Sequence, residues 1–309
     1  MNYLVTGGAG FIGSNVVEEL LQQDHTVVVV DNLHTGSLEN LKDLKSKSLT
    51  FIEAPCSRVS ELFARETFHG IFHFGIPSSA PMYKENHQLV GSAIAEFINI
   101  LELAQKHNCK VVYASTSSLY NGLPMPFKED SKPKVTDFYT EVRICMERLA
   151  QLYHEFYNVH SIGLRLFSVY GPRETAKHQY ANLISQFLWA MQKNQIPVIY
   201  GDGEQTRDFT YVQDVVRASL LAMHADIPYD IFNIGTGTNY TLNQVITLLN
   251  TLLKTTIQPK YVDNPIQNYV QHTLADITKA ETHLGFKAEY TLHEGIQRTL
   301  TLQMNKVIR

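Results

Sequence analysis

Cysteine is scarce in this chain: Cys56, Cys109 and Cys145 are the three present in 309 residues, scattered and without a CxxC spacing. That excludes a disulfide framework or a thiolate zinc site as the organising principle, and it fits a reducing, cytoplasmic setting. A surplus of positive charge is missing as well. The 26 Lys and Arg are outnumbered by 30 Asp and Glu, for a formal net charge of −4. This balance argues against nucleic acid or an anionic membrane surface as a partner. Long apolar runs are also absent. "TVVVVD" is far too short to cross a bilayer, and the opening "YLVTGG" ends in glycine, as a buried strand does and an apolar leader does not. No low-complexity tract or internal repeat is found, and the 13 histidines include no HxH or HExxH pair, so no metal is expected.

What is present is alternation. Short β-branched runs fall at Tyr3–Thr6, Val27–Asp31, Thr50–Glu53, Gly70–Phe74, Lys110–Ser115 and Ser161–Phe167. Amphipathic stretches lie between several of them, at Ile12–Gln22, Ala93–His107 and Tyr139–Tyr157. This rhythm predicts an α/β fold in which a Rossmann-type, doubly wound parallel sheet is covered by helices on both faces. Past Val169 the rhythm loosens: "YANLISQFLWAMQKN" and "VQDVVRASLLAMHA" read as helices, "PVIYGDG" as a strand, and "DIFNIGTG" as a further strand of the same sheet. Two more helices, in "LNQVITLLNTLL" and "DITKAETHLGF", complete the reading. No flexible linker separates the parts, so a smaller C-terminal lobe is expected to interleave with the sheet.

The first candidate site lies in "YLVTGGAGFIGSNVVEELL", where Gly7, Gly10 and Gly13 sit between a strand and a helix. The first glycine allows a tight turn, the second admits a pyrophosphate to the backbone, and the third lets helix and strand pack closely. The second strand ends in Asp31 at the distance expected of a residue that accepts hydrogen bonds from an adenosine ribose. A 2′-phosphate would be repelled there and no Arg follows in "DNLHTGS", which favours NAD over NADP. The second candidate is the pair Tyr139 and Arg143, which share one helix face.

In their order along the chain, "TGGAGFIGS", "DNLHTG", "ASTSSLY", Tyr139-xxx-Arg143, "SVYGPRE" and "GDGEQTRDFTYVQDVVRA" resemble the extended short-chain dehydrogenases/reductases. Within them the chain is most similar to NAD-dependent nucleotide-sugar epimerases and dehydratases, in particular enzymes like UDP-glucose 4-epimerase, over nearly its full length. The resemblance implies a catalytic Tyr139, a hydroxyl relay at Thr116, and Arg143 where the family has lysine, bonding the nicotinamide ribose and favouring the phenolate. A free phenol titrates near 10, so a base of this kind needs a nearby cation at neutral pH. Arginine keeps the charge but is a wider planar fork, so the exchange is not conservative.

The same resemblance places the cofactor along Gly7, Gly10, Phe11, Ile12 and Gly13, then Asp31, Asn32, Thr35 and Gly36. It continues through Cys56, Phe74, Gly75, Ile76, Ser115 and Phe167, with Tyr139 and Arg143 at the far end. Substrate contacts are implied at Ser79, Thr116, Ser117 and Ser168, with Asn182, Leu183, Ile199 and Tyr200 lining a nucleobase pocket and Arg207 binding the diphosphate. Read without the resemblance, Arg207 could simply pair with Asp202, Glu204 or Asp208. Residues 1–168, rejoined by about 202–236, would form the NAD-binding domain, and 169–201 with 237–309 the nucleotide-sugar lobe. A homodimer through a four-helix bundle is implied, built on the helices that carry Ala93–His107 and Tyr139–Tyr157.

Several positions depart from the family pattern. Ser168 stands where Asn is usual, Gln271 where a second phosphate-binding Arg is expected, Cys56 where an Asp contacts adenine, and Ala93 where Asn is common. Thr116 is followed by Ser117 and Ser118 rather than by the Asp-Glu of the dehydratases or the Glu of decarboxylating relatives. The expected reaction is therefore 4-epimerisation of a UDP-hexose-like nucleotide sugar by transient C4 oxidation with retained NAD. Alternatives are a nucleotide-sugar 4-reductase, dehydrogenase or dehydratase of the same superfamily, and a weakly catalytic binder of NAD or nucleotide sugar.

Overall fold

The computed structural model describes residues 1–44, 46–266 and 269–307. The first half of the chain runs β1 (Asn2–Thr6), α1 (Phe11–Gln22), β2 (Thr26–Asp31), β3 (Leu49–Glu53), the short α2 (Val59–Leu62) and β4 (Gly70–His73). It continues through α3 (Ala80–Glu85), α4 (Gln88–His107), β5 (Lys110–Thr116), α5 (Phe138–Tyr157) and β6 (Ser161–Leu166). The second half runs α6 (Leu183–Gln192), β7 (Val198–Tyr200), β8 (Thr206–Arg207), α7 (Val212–His224), β9 (Tyr229–Ile234) and β10 (Tyr240–Thr241). It ends with α8 (Leu242–Leu253), β11 (Lys260–Val262), α9 (Thr278–Leu284) and α10 (Leu292–Val307).

Seven strands form one parallel sheet in the order β3-β2-β1-β4-β5-β6-β9. The reason is legible strand by strand. Val27 to Val30 are all buried, because alternate residues point to opposite faces and both faces are covered. Tyr3, Val5, Val27 and Val29 join one core with Val16, Val17 and Leu20 of α1 and Val215 and Val216 of α7. Leu4, Val28 and Val30 join the other with Phe97, Ile100 and Leu101 of α4 and Val142 and Met146 of α5. Each such side chain contributes about 1.5–3 kcal/mol by leaving water. A third core lies among α6, α8 and α10.

The strand order reverses between β1 and β4, and a crevice opens there at the carboxyl ends of the strands. Gly7 turns the chain out of β1 with φ +68, and a Cβ on it would lie 2.5 Å from the Gly75 nitrogen behind β4. Glycine is therefore required there on two counts, backbone angle and space.

Two differences from the sequence reading have physical causes. The helix expected at Ala93–His107 begins at Gln88, whose N–H is received by Asn86 Oδ1 at 3.1 Å. The C-terminal remainder contains a helix, α10, that the apolar pattern does not announce. Gly295 stands in its interior, normally a helix-weakening choice, because a Cβ there would meet the Tyr170 hydroxyl at 2.1 Å. Among the described residues no helix is long and apolar enough to cross a membrane.

Candidate active site

A cleft of about 680 Å³ opens along the strand ends from the glycine loop to the first turn of α5. At one end Asp31 is buried, its Oδ2 receiving the N–H of Ala9 at 2.9 Å and its Oδ1 that of Leu33 at 2.8 Å. Burial nevertheless raises this carboxyl above the usual carboxylate range, against the pull of those N–H groups. The Gly10 N–H adds a third donor, and with about four acceptor positions on a carboxylate capacity remains for a ribose hydroxyl. Gly36 keeps the space beside it clear: a Cβ there would lie 3.0 Å from both carboxylate oxygens.

At the other end, Asp137 and Thr140 close a reciprocal cap that fixes the first turn of α5, with Thr140 N–H on Asp137 Oδ1 at 2.8 Å and Asp137 N–H on Thr140 Oγ1 at 3.1 Å. Tyr139 is thereby set at the cleft wall, its ring packed on Tyr83 with centroids 5.9 Å apart. The Arg143 guanidinium lies over the Tyr139 ring at 4.9 Å and donates to the Pro77 carbonyl at 2.9 Å. Its Nε is buried and has no hydrogen-bond partner among the described residues. An orphaned donor on a cleft-lining cation is what a cofactor ribose hydroxyl would satisfy.

Thr116 ends β5 in the same cleft, and its Oγ1 receives Ser118 N–H at 3.2 Å as the chain enters a single 3-10 turn. Behind it, Ser115 Oγ donates to Glu147 Oε1 at 2.5 Å. Glu147 follows Arg143 by one helical turn and is gripped by Arg165 of β6 through two bonds of 2.9 and 2.7 Å. Arg165 also donates to the Tyr120 hydroxyl at 2.6 Å. This buried network ties the Tyr139–Arg143 face of α5 to the two strands that flank the cleft.

His73, at the end of β4, is wholly buried and shares a 2.7 Å hydrogen bond between its Nδ1 and Thr6 Oγ1. Burial, assisted by the charge of Arg143, pushes its pKa down to about 3. Below about 6.5 the unfolded chain takes up a proton here that the folded chain refuses, so stability is lost as pH falls through that range. Between pH 6.5 and 5 the wild type should lose about 2 kcal/mol more than His73→Asn in paired urea unfolding curves. An equal loss in both proteins would show that His73 is not held neutral.

The cleft gathers Gly7, Gly10, Phe11, Ile12, Gly13, Asp31, Asn32, Thr35, Gly36, Phe74, Gly75 and Ile76 with Ser115, Thr116, Ser117, Tyr139, Arg143, Ser168 and Asn182. Ser168 adopts φ +30, a left-handed conformation that asparagine tolerates better than serine. Other expected residues lie elsewhere. Phe167 is fully buried against Phe127 and Tyr120, and Cys56 is buried with its Sγ donating to the Gly75 carbonyl at 3.5 Å. Burial also raises the Cys56 thiol well above its usual range. Ser79 precedes the first turn of α3. Leu183, Ile199 and Tyr200 line a second recess of about 290 Å³ with Phe187, Pro197 and Tyr269. Arg207 forms none of the ion pairs with Asp202, Glu204 or Asp208 that a plain surface charge would make. Its guanidinium donates to the carbonyls of Thr206 at 2.8 Å, Gln271 at 3.0 Å and Val270 at 2.5 Å, and stacks on Tyr269 at 5.2 Å.

Lys177, Tyr180, Ser92 and Glu96 also line the cleft, and no sequence motif marks them. Lys177 reaches Glu174 at 3.3 Å and lies 5.6 Å from the Phe11 ring. Its short irregular stretch carries no periodic signal. Leu89, Ser92 and Glu96 do carry one, since spacings of three and four residues put them on a single face of α4. Among the described residues no His, Cys, Asp and Glu cluster could hold a metal ion.

A glycine turn at the switch point of a doubly wound sheet, with a ribose-seeking aspartate and an opposed tyrosine and arginine, defines a Rossmann-type dinucleotide-dependent enzyme. The profile of the NAD dependent epimerase/dehydratase family matches residues 3–235, and the chain belongs to that family, with NAD as its cofactor. It is 33% identical to a putative UDP-glucose 4-epimerase of Methanocaldococcus jannaschii, over 98% of each chain. It is 29% identical to a UDP-N-acetyl-alpha-D-glucosaminuronate decarboxylase of Bacillus cytotoxicus, over 96% of each. Among solved structures, the UDP-glucose 4-epimerase of Thermotoga maritima bound to UDP-glucose superposes with a TM-score of 0.92 at 31% identity, covering 99% of this chain and 100% of that one.

Proposed function

We propose that this protein is a nucleotide-sugar 4-epimerase acting on a UDP-hexose-like substrate. The observation that carries the reading is the hydroxyl-only wall beside the reacting position: Thr116, Ser117 and Ser118 all line the cleft, and no carboxylate follows Thr116. Eliminating water requires an acid to protonate the departing hydroxyl, and none stands in that stretch. Relatives named as 4-epimerases at 33% and 31% identity support the same choice.

In this reading Tyr139 takes the proton of the sugar 4-hydroxyl, and Thr116 holds that oxygen and relays the proton. Arg143, over the ring, favours the negative charge that develops on the phenol. Bound NAD, held at its riboses by Asp31 and Arg143, would supply a reversible hydride acceptor for the sugar carbon. The 4-keto sugar turns within the cleft before Tyr139 returns the proton, so the configuration inverts without net oxidation. Arg207, Asn182 at the cleft wall and the recess of Leu183, Ile199 and Tyr200 hold the nucleotide, while Ser117 and Ser168 face the sugar. Phe138, Leu152 and Phe156 on α5 are exposed apolar side chains, which supports a homodimer through α4 and α5 of a cytoplasmic enzyme.

Incubation with UDP-, dTDP-, GDP- and CDP-sugars tests this. A product of unchanged mass that differs at C4, formed without added NAD, is expected. A product that has lost water or carbon dioxide would move the chain to the dehydratases or decarboxylases, and an absolute need for added NAD(P)H to the reductases.

A further inference from the structure

Of the residues lining the cleft, the described carboxylates are Asp31 and Glu96. Asp31 is accounted for by the ribose. Glu96 is not used by the reaction, and it projects from the cleft-facing stripe of α4 toward the loop that follows β3. It accepts the N–H of Ser57, and Asn99, one turn further along α4, donates to the Ser57 carbonyl at 3.5 Å. Its charge is felt by Cys56, which in turn contacts the Gly75 carbonyl and senses Asp31. The Ala54 N–H meets the Asp31 carbonyl at 3.1 Å, so β2, the loop after β3 and Glu96 form one end of the cleft.

That end is where the adenine must lie if Asp31 holds its ribose. The groups there are unequal to the task without Glu96. Cys56 is a buried thiol kept protonated, a weak donor and a weak acceptor. Glu96 forms no ion pair among the described residues, and its carboxylate has acceptor positions beyond the one that Ser57 fills. Burial raises its pKa above the usual carboxylate range, as expected of an acceptor short of donors. Adenine offers a donor at this edge, its exocyclic amino group.

We infer that Glu96 reads the adenine of the bound dinucleotide, accepting a hydrogen bond from the 6-amino group. The inference rests on NAD being the cofactor and not on which sugar reaction follows. It also explains how the site tolerates a thiol at Cys56: the recognising carboxylate comes from α4 instead of from the loop after β3.

The test is a competition between NAD and deamino-NAD, in which an oxygen replaces the 6-amino group. Purified protein is equilibrated with equal concentrations of both, freed of unbound dinucleotide and denatured, and the released dinucleotides are quantified. An oxygen facing a carboxylate loses a charge-assisted bond, so the wild type should retain NAD by about ten- to hundred-fold over deamino-NAD. In Glu96→Gln the amide can present its NH₂ to the oxygen or its carbonyl to the amino group, so the preference should fall to about two-fold or less. A wild type without preference, or a preference that Glu96→Gln leaves unchanged, overturns the assignment. If Glu96 served only to hold the Ser57 peptide, Glu96→Gln would lower the melting temperature and leave the ratio intact, which would equally overturn it.

Discussion

Replacing Tyr139 by phenylalanine should lower kcat by about 10²–10⁴-fold, the usual contribution of a positioned acid–base group. The exchange removes one oxygen and keeps everything else the ring does. Packing on Tyr83 at 5.9 Å and the face presented to Arg143 at 4.9 Å both survive. The capping bonds of Asp137 and Thr140 do not involve the phenol, so the first turn of α5 stays where it is. The melting temperature and the bound NAD should therefore be unchanged while turnover is lost. Activity close to wild type in the variant would remove Tyr139 from the chemistry. Loss of activity together with loss of folding would leave it a packing residue.

The second large effect is expected at Glu147, which never touches the cleft. Its carboxylate and Arg165 are each almost wholly buried, at 3% and 4% side-chain exposure, and 2.7 Å apart at their closest. Glu147→Ala leaves a guanidinium buried without its counter-charge, which costs about 3–5 kcal/mol. It also frees Ser115 Oγ, next to Thr116, and releases α5 from β5 and β6, which pair Ser115 with Arg165 in register. Chemical denaturation should show the stability loss, and kcat should fall with it. Replacing both partners by apolar residues, as in Glu147→Leu with Arg165→Met, should recover most of the stability, because buried ion pairs often contribute little net. If the double variant is as unstable as the single one, the loss does not come from the unpaired guanidinium, and the bonds of the Glu147–Arg165 network are themselves what holds α5.

What could be read in the chain beforehand is what its local order encodes. The glycine loop, the Asp31 that ends an all-valine strand, and the tyrosine one helical turn before Arg143 belong to contiguous patterns, and these residues line the cleft. The parts that escaped depend on distance in sequence or on shape. Glu147 and Arg165 are ordinary charges until β6 folds beside α5. Helix α10 is hidden by Gly295, whose reason is the hydroxyl of Tyr170, far away in the chain. The hold of Arg143 on the Pro77 carbonyl needs the loop after β4, which no spacing rule supplies. Ala93, a departure from the family pattern, is buried in the core, whereas Glu96, one turn later, stands on the cleft face.

The reading of the site as one that oxidises C4 and returns the same hydride is tested most directly with a nucleotide sugar deuterated at C4. The purified protein, without added cofactor, should yield the C4 epimer with deuterium still on C4, because the label passes to the retained dinucleotide and returns from it to the same carbon without exchanging with solvent. Loss of the label to solvent, or a product lacking water or carbon dioxide, would contradict it.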